Sequence, residues 1–290
     1  MGRAMDRTTL TAAAWMIGSI VSFTSMAVAG RAVSGIHDTF EIMLFRSALG
    51  LALVVAGAGL AGRLGDVRRD RLGLHAVRNL AHFTGQNLWF LAITLVPLAQ
   101  VFALEFTSPL WVLVLAPLIL GERVRPAQYG AALVGFAGVL VVARPFAGAV
   151  EPGLVWAGLA ALAFAVTNLL TRRLTRHEGL VSILFWLTAL QLVFGAVCAG
   201  IDGDVAWPTA ATAPWLALIG AAGLCAHLCL TRALTLAPAS TVMPVDFARL
   251  PLIAGIGAVL YDEALDPVVL AGAALIVAAA WTNLRLARSA

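Results

Sequence analysis

The chain has 290 residues, of which 61% are hydrophobic and 12% are charged, and its mean hydropathy is +0.94. A soluble domain carries about 45–50% apolar and about 25% charged residues, so this composition excludes an ordinary soluble enzyme and a disordered chain. At about 20 residues per spanning helix plus a short connection, the length accommodates roughly ten membrane spans. In a membrane protein the positive net charge, here +4, first bears on how the chain is oriented in the bilayer.

Apolar runs separated by glycine, proline and charged residues predict ten helices. In chain order the predicted spans cover residues 10–30, 38–60, 73–95, 99–120, 127–144, 152–171, 180–200, 212–232, 239–261 and 267–285. Arg3 and Arg7 ahead of the first apolar run, with Ala27-Val28-Ala29 behind it, also fit a signal peptide. The run is long for that purpose, and we expect it to be a retained helix.

The arginines are distributed unevenly between the two sides of the predicted membrane. If the N-terminus is cytoplasmic, fourteen arginines lie in cytoplasmic loops and helix ends, whereas only Arg31 and Arg144 lie on the opposite side. This asymmetry is the positive-inside pattern. We therefore expect a multi-pass protein of the bacterial inner membrane with both termini in the cytoplasm. The positive charge then orients the chain in the lipid bilayer, and no nucleic-acid partner is expected.

A shift of 141 positions aligns the two halves of the sequence without a gap. The matches that chance supplies least readily are Trp15 with Trp156, Phe23 with Phe164, Pro97 with Pro238, Phe106 with Phe247, Glu122 with Glu263 and Pro126 with Pro267. Each half holds five spans, an odd number, so the second half must be inverted relative to the first. Residues 1–145 and 146–290 are thus predicted to form two inverted repeats, a pattern typical of secondary transporters.

Part of each repeat carries a family resemblance. In the first it runs from Pro109-Leu110 through Gly121-Glu122-Arg123 to the small-residue stretch 130–139, and the second keeps Glu263 and the stretch 271–275. These residues resemble the EamA domain of the drug/metabolite transporter superfamily, and within it the YddG-like exporters of amino acids and related metabolites. The resemblance implies a cavity built by spans one to four and six to nine, with spans five and ten as peripheral supports.

Polar side chains within spans are costly in lipid, so they are expected to face protein or a cavity. The third span is the most polar: Arg78, His82 and Gln86 recur every four residues and form one stripe, with Asn79 beside it and Trp89 continuing it. Such a stripe either joins helices by hydrogen bonds or lines the cavity.

Two acids occupy matching positions of the repeats. Glu105 of the fourth span and Asp246 of the ninth are each followed by a phenylalanine. Asp246 is expected to pair with Arg249 three residues on, whereas Glu105 has no basic partner within its own helix. Glu105, Asp246 and His82 are the candidates for proton coupling. The full set of substrate or cavity candidates is Arg78, Asn79, His82, Gln86, Trp89, Phe102, Glu105, Phe106, Trp111, Met243, Asp246, Phe247 and Arg249.

The sequence contains no GxSxG elbow, HExxH helix or phosphate-binding P-loop, so no catalytic residue, metal or cofactor is expected. The prediction is a secondary transporter that exports amino acids or related small metabolites by alternating access. Two alternatives stay open. One is a carrier of anionic or phosphorylated metabolites with Arg46, Arg78 and Arg249 as ligands, and the other is a membrane-embedded enzyme or scaffold. Small residues of spans five and ten favour close helix packing, either within one chain or in a homodimer.

Overall fold

A computed structural model describes residues 7–121, 126–144, 150–201, 203–236, 245–246 and 248–288, and every regular element in these ranges is helical. The helices are α1 (Arg7–Val33), α2 (Thr39–Leu60), a short 3₁₀ turn (Leu64–Asp66), α3 (Leu72–Leu95), α4 (Leu98–Glu105), α5 (Ser108–Leu120), α6 (Pro126–Ala143), α7 (Pro152–Thr175), α8 (Leu180–Ala199), α9 (Ala213–Leu236), α10 (Arg249–Tyr261) and α11 (Pro267–Arg288).

The helices follow the predicted spans to within a few residues at most ends. Six helical segments are long and apolar enough to cross a membrane, and α4 together with α5 forms one of them. Three more apolar helical segments, in α6, α10 and α11, are shorter, while α3 has spanning length but carries the polar stripe. The protein is thus a multi-pass helical membrane protein, and the count of ten spans stays a prediction.

The fourth predicted span is interrupted in its middle. Helix α4 ends at Glu105, and α5 begins at Ser108, one residue before Pro109. A proline has no N–H to donate, and its ring clashes with the carbonyl of the residue four positions earlier, here Glu105. Thr107 sits in the break, and its hydroxyl donates to the Leu104 carbonyl at 2.6 Å. The break places the end of α4, with its carboxylate, inside the bundle.

The two repeats close equivalent helices in the same way. Helix α5 is followed by the cap residue Gly121 with φ 68°, and α10 is followed by the cap residue Asp262 with φ 52°; the two positions are 141 residues apart in the sequence. Both are left-handed conformations that cap a helix C-terminus. Aspartate tolerates this region better than most side chains, which explains how it replaces glycine here.

The closest helix pairs join the two repeats. Helix α1 packs along α9, α3 along α7, α2 along α8, and α6 along α11. Under the 141-residue register α1 corresponds to α7 and α3 to α9, so the α1–α9 and α3–α7 pairs are equivalent to each other. The other two pairs each join a helix to its own counterpart. This pattern is the one that a twofold relation between the repeats requires.

Glycines bring α6 and α11 into backbone contact. A Cβ atom on Gly138 would lie 2.8 Å from the Gly272 carbonyl oxygen, and one on Gly272 would lie 2.9 Å from the Gly138 carbonyl oxygen. These small residues therefore pack within the chain, which is one of the two arrangements that the sequence left open. Since α6 and α11 pack chiefly on each other, they stand beside the remaining helices rather than among them.

Ion pairs and hydrogen bonds tie loops together at both ends of the bundle. At one end Arg31 pairs with Glu263 and donates to the backbone oxygens of Ile93 at 2.6 Å and Val96 at 2.7 Å, and Glu263 also accepts from the Leu98 N–H at 2.9 Å. The two arginines predicted on the side opposite the N-terminus are both paired here, since Arg144 contacts Asp266 near the start of α11.

At the other end a carboxylate in the α7–α8 connection holds the start of α3. Glu178 Oε2 lies 2.7 Å from His75 Nε2 and accepts from the Ser182 hydroxyl at 2.6 Å. Burial acts to raise the pKa of Glu178, but the hydrogen bonds from Ser182 and His75 outweigh it and leave the pKa below the ordinary glutamate value.

Candidate functional site

The polar stripe of α3 lies inside the protein. Arg78, His82 and Gln86 are all buried, as expected for polar groups that cannot face lipid. Arg78 donates from Nε to the Thr171 hydroxyl of α7 at 3.0 Å and from Nη1 to the Asn79 side-chain oxygen at 2.8 Å. Part of the stripe therefore serves helix–helix hydrogen bonding, one of the two roles considered from the sequence.

His82 is the member of the stripe with unused hydrogen-bonding capacity. The residue is only 4% exposed, and neither ring nitrogen has a hydrogen-bond partner in the part of the chain that the structure describes. Its ring centroid lies 5.7 Å from that of His227 on α9 and 5.9 Å from that of Phe164 on α7. The imidazole thus lies among α3, α7 and α9, close to the centre of the bundle.

The second group of polar residues is a charged node that joins α4 to the start of α10. Arg249 Nη2 donates to Glu105 Oε1 at 3.1 Å and to Asp246 Oδ2 at 3.0 Å. Trp89 Nε1 of α3 donates to the other Glu105 oxygen at 2.9 Å. The predicted Asp246–Arg249 pair is present, but the sequence missed that the same guanidinium also serves Glu105. With both acids ionised, the node carries one net negative charge.

Aromatic rings surround the cation of this node. The Arg249 guanidinium carbon lies 5.2 Å from the ring centroid of Phe23, 5.1 Å from that of Phe102 and 5.1 Å from that of Phe106. These distances are in the range of cation–π attraction. Two of the predicted lining residues, Phe102 and Phe106, therefore contact the Arg249 guanidinium. Phe23 contacts it too, although it was not among the predicted lining residues.

Trp111, another predicted lining residue, lies away from the node. Trp111 of α5 is half-buried and packs edge-on against Phe136 of α6, with ring centroids 4.7 Å apart. It thus faces the peripheral α6–α11 pair. Met243 and Phe247 lie outside the described residues, so their placement stays a prediction.

A further buried arginine, which the sequence raised only for the anion-carrier alternative, lies on α2. Arg46 donates from Nη1 to Gln86 Oε1 and contacts Met43 Sδ at 3.5 Å. No carboxylate contacts Arg46 or Arg78 within the described ranges, whereas Arg31, Arg144 and Arg249 all have acidic partners. Arg46 also lines a cavity between α2, α8 and α9, together with Ser47, Thr188, Gln191, Gly223 and His227. The polar residues that line this cavity occur singly within apolar runs, so their spacing in the sequence did not predict it.

Comparison with known proteins assigns the family. The profile of the EamA-like transporter family matches the chain twice, over residues 10–144 and over residues 151–285. The chain belongs to the EamA-like transporter family. Its two matched stretches give the two-repeat layout of EamA-like proteins and contain every helix described above, apart from a few residues at the two ends of the chain.

EamA-like relatives with names are transporters of different small molecules. The chain is 34% identical over 223 residues to a riboflavin transporter of Rhizobium johnstonii, covering 72% of each chain. It is 24% identical to an S-adenosylmethionine uptake transporter of Rickettsia bellii, with 91% of this chain and 90% of the relative aligned. It is 28% identical to the pseudopaline exporter of Pseudomonas aeruginosa, with 89% and 90% aligned. These EamA-like proteins are named as transporters and not as enzymes.

A solved structure supports the fold. It superimposes with a TM-score of 0.66 at 23% sequence identity and covers 96% of this chain and 98% of its own. At this level of identity the likeness concerns the fold alone. The EamA-like assignment therefore rests on the sequence matches, and the helical arrangement agrees with it.

Proposed function

We propose that this protein is a secondary transporter that exports amino acids or related small metabolites across the bacterial inner membrane by alternating access. Residues 1–145 and 146–290 are the two inverted repeats of this transporter, and both termini lie in the cytoplasm. The observation that carries the proposal is the node in which Arg249 bridges Glu105 and Asp246, two acids at matching positions of the repeats. Transporters of inverted-repeat architecture bind their cargo near such a repeat interface.

The chemistry of the node fits part of an amino acid. A net negative, partly aromatic environment attracts an ammonium group through charge and through the ring faces. Phe102, Phe106 and Phe23 supply the apolar surface. Two relatives are consistent with this proposal. S-adenosylmethionine, the cargo in the name of one relative, carries an amino-acid group. Another relative is named as an exporter.

The helix pairing supports the transport mechanism. The α1–α9 and α3–α7 pairs are equivalent under the repeat register, and each joins one repeat to the other. In alternating access, equivalent bodies exchange conformations to open the site on each side in turn. The proline-induced break between α4 and α5 lies next to Glu105, where a change of helix direction would move the node.

A second candidate function is a carrier of anionic metabolites. The observation that favours it is the absence of any carboxylate partner for Arg46 and Arg78 among the described residues. Arg249 supports it less, since two acids already neutralise this guanidinium. Amino acids carry both an anionic and a cationic group. The arginines without a carboxylate partner and the net negative node are therefore both compatible with an amino-acid exporter.

The test is a counterflow screen in proteoliposomes. Purified full-length protein is reconstituted with an internal amino acid, and uptake of the same labelled amino acid is measured for a panel of amino acids, with and without a pH gradient. We expect accumulation above that of protein-free liposomes for a subset of the panel. A protein that moves phosphorylated metabolites and no amino acid would support the anion carrier, and a protein that moves no solute would support a scaffold.

A further inference from the structure

A small cavity lies between α2, α8 and α9 in the interior of the helical bundle. Its enclosed volume, measured as the space open to the centre of a water-sized sphere, is about 20 Å³, and its lining includes Arg46, Ser47, Thr188, Gln191 and His227. Arg46 is the eighth residue of α2, which places it about 10 Å along the helix axis from the first residue. The cavity therefore lies within the predicted second span, 38–60, where charge is expensive.

The charge in this cavity has no counterion in the described protein. Arg46 is 7% exposed, and its hydrogen-bond acceptors are the neutral Gln86 oxygen and Met43 sulfur. Buried arginines in membrane spans are ordinarily paired, as Arg249 is in this protein. A buried guanidinium has five N–H donors and no acceptor, so Arg46 has capacity for an anion.

A second donor faces the same cavity. Gln191 of α8 is 2% exposed, and its Nε2 has no hydrogen-bond partner among the described residues. Leaving a buried amide donor unsatisfied is unfavourable. A cavity that presents a cation and an unsatisfied amide donor is complementary to an oxyanion.

The backbone of α9 is shaped to admit the guanidinium. A Cβ atom on Gly223 would lie 3.0 Å from Arg46 Nε and 3.1 Å from Nη2, and one on Gly220 would lie 3.2 Å from the Arg46 carbonyl oxygen. Gly223 therefore gives the guanidinium room against α9, and Gly220 allows α9 to approach the backbone of α2 at Arg46.

We propose that this cavity is a subsite for the carboxylate group of the transported metabolite, with Arg46 and Gln191 as its hydrogen-bond donors. The inference rests on the proposed function, because it takes the cargo to be a small metabolite with a carboxylate. The guanidinium has more N–H groups than its contacts with Gln86 and Met43 use, and a carboxylate accepts charge-assisted hydrogen bonds from such groups. The enclosed space of about 20 Å³ is far too small for a whole amino acid, so the cavity receives only the carboxylate end.

The test compares each amino acid with its own amide, which differs by the loss of the carboxylate charge. Thermal unfolding of the detergent-purified full chain is followed with L-phenylalanine, L-leucine and L-threonine, and with their amides, at matched ionic strength. We expect at least one amino acid to raise the unfolding temperature more than its amide does. Equal effects of acid and amide throughout, or no stabilisation by any of them, would overturn the proposal.

Variants connect the effect to the cavity. Arg46→Gln is expected to weaken the apparent affinity for the carboxylate ligand roughly tenfold or more, with partial recovery in Arg46→Lys, while Arg63→Gln at an exposed ion pair changes nothing. Gln191→Leu, which removes the unsatisfied donor and keeps the size of the side chain, serves if Arg46→Gln does not fold. An undiminished preference for the acid over its amide in the folded variants contradicts the proposal.

Two further measurements distinguish a carboxylate subsite from a general anion site and from a failure of the proposed function. Inorganic phosphate at the same concentration is expected to stabilise less than the carboxylate ligand, and an equal effect would mean a general anion site and overturn the carboxylate assignment. Counterflow by the wild type decides the proposed function independently. Transport that accepts amides as readily as acids refutes the carboxylate subsite alone, whereas an absence of transport refutes the proposed function.

Discussion

Glu105 and Asp246 occupy matching repeat positions, but their surroundings differ. Both contact Arg249, and Glu105 also accepts a hydrogen bond from Trp89. Two carboxylates that share one cation leave one negative charge uncompensated, and a group in this situation gains most from a proton or an ammonium ion. The node is therefore where we expect transport to be coupled to protonation, with His82 as the third candidate.

Neutral variants of these groups test proton coupling. We expect Glu105→Gln or Asp246→Asn to flatten the dependence of counterflow on pH for the amino acid that the wild type exchanges most rapidly, because one carboxyl group of the node is removed. His82→Gln is measured in parallel. Asp66→Asn, at an exposed ion pair with Arg63, is the control and should keep the wild-type profile. Unchanged profiles in all three buried-site variants would reject the coupling role of these residues.

The residue contacts show what a single sequence can and cannot reveal. The Asp246–Arg249 pair was predictable because three residues on a helix bring side chains together. The Arg249–Glu105 contact spans 144 positions, and the Arg46–Gln86 contact spans 40. Hydropathy identifies helices but does not show which helices pack against each other. These contacts could therefore not be predicted from the sequence pattern.

Among the helices, boundaries were well predicted because lipid imposes a strong hydropathy signal on each span. The fourth predicted span, 99–120, is divided in the structure into α4 and α5. In the structure the helical hydrogen bonding is interrupted at Phe106 and Thr107 and resumes at Ser108, although both residues keep right-handed helical dihedral angles. The interruption arises because Pro109 cannot continue the hydrogen-bond ladder. Pro109 marks the position of the break in the sequence, but how many residues lose their helical hydrogen bonds depends on the packing around it.

The α6–α11 contact leads to a stability prediction. Gly138→Ala places a methyl group 2.8 Å from the Gly272 carbonyl oxygen and 2.8 Å from Ile276 Cγ1, so the helices must separate. Overpacking of this kind costs about 1–3 kcal/mol. We expect Gly138→Ala, and likewise Gly272→Ala, to lower the unfolding temperature in detergent.

Gly130 on the same helix provides the matched control. It is exposed, and a Cβ atom there would meet nothing within 4 Å. Alanine is a better helix former than glycine by about 1 kcal/mol, so Gly130→Ala should be neutral or stabilising. If Gly138→Ala unfolds at the same temperature as Gly130→Ala, the close α6–α11 approach is not what stabilises this pair.

At the scale of the whole molecule, each repeat depends on the other for its contacts. The four closest helix pairs all join a helix of the first repeat to one of the second. Separate expression of residues 1–145 and 146–290 is therefore expected to give two fragments that are degraded or aggregate. Co-expression of the two fragments should restore both protein level and counterflow. Transport by either fragment alone would contradict this dependence.

The helix pairing also has a consequence for how such a chain can arise. A protein that consisted of one repeat would leave uncovered the faces of α1, α2, α3 and α6 that the second repeat covers here. In the proposed arrangement of inverted repeats, a second copy inserted in the opposite orientation would supply those surfaces. The contacts between the two halves would then correspond to the interface of an antiparallel dimer. Two copies within one polypeptide can carry different residues at equivalent positions, as Arg46 and its counterpart Leu187 do.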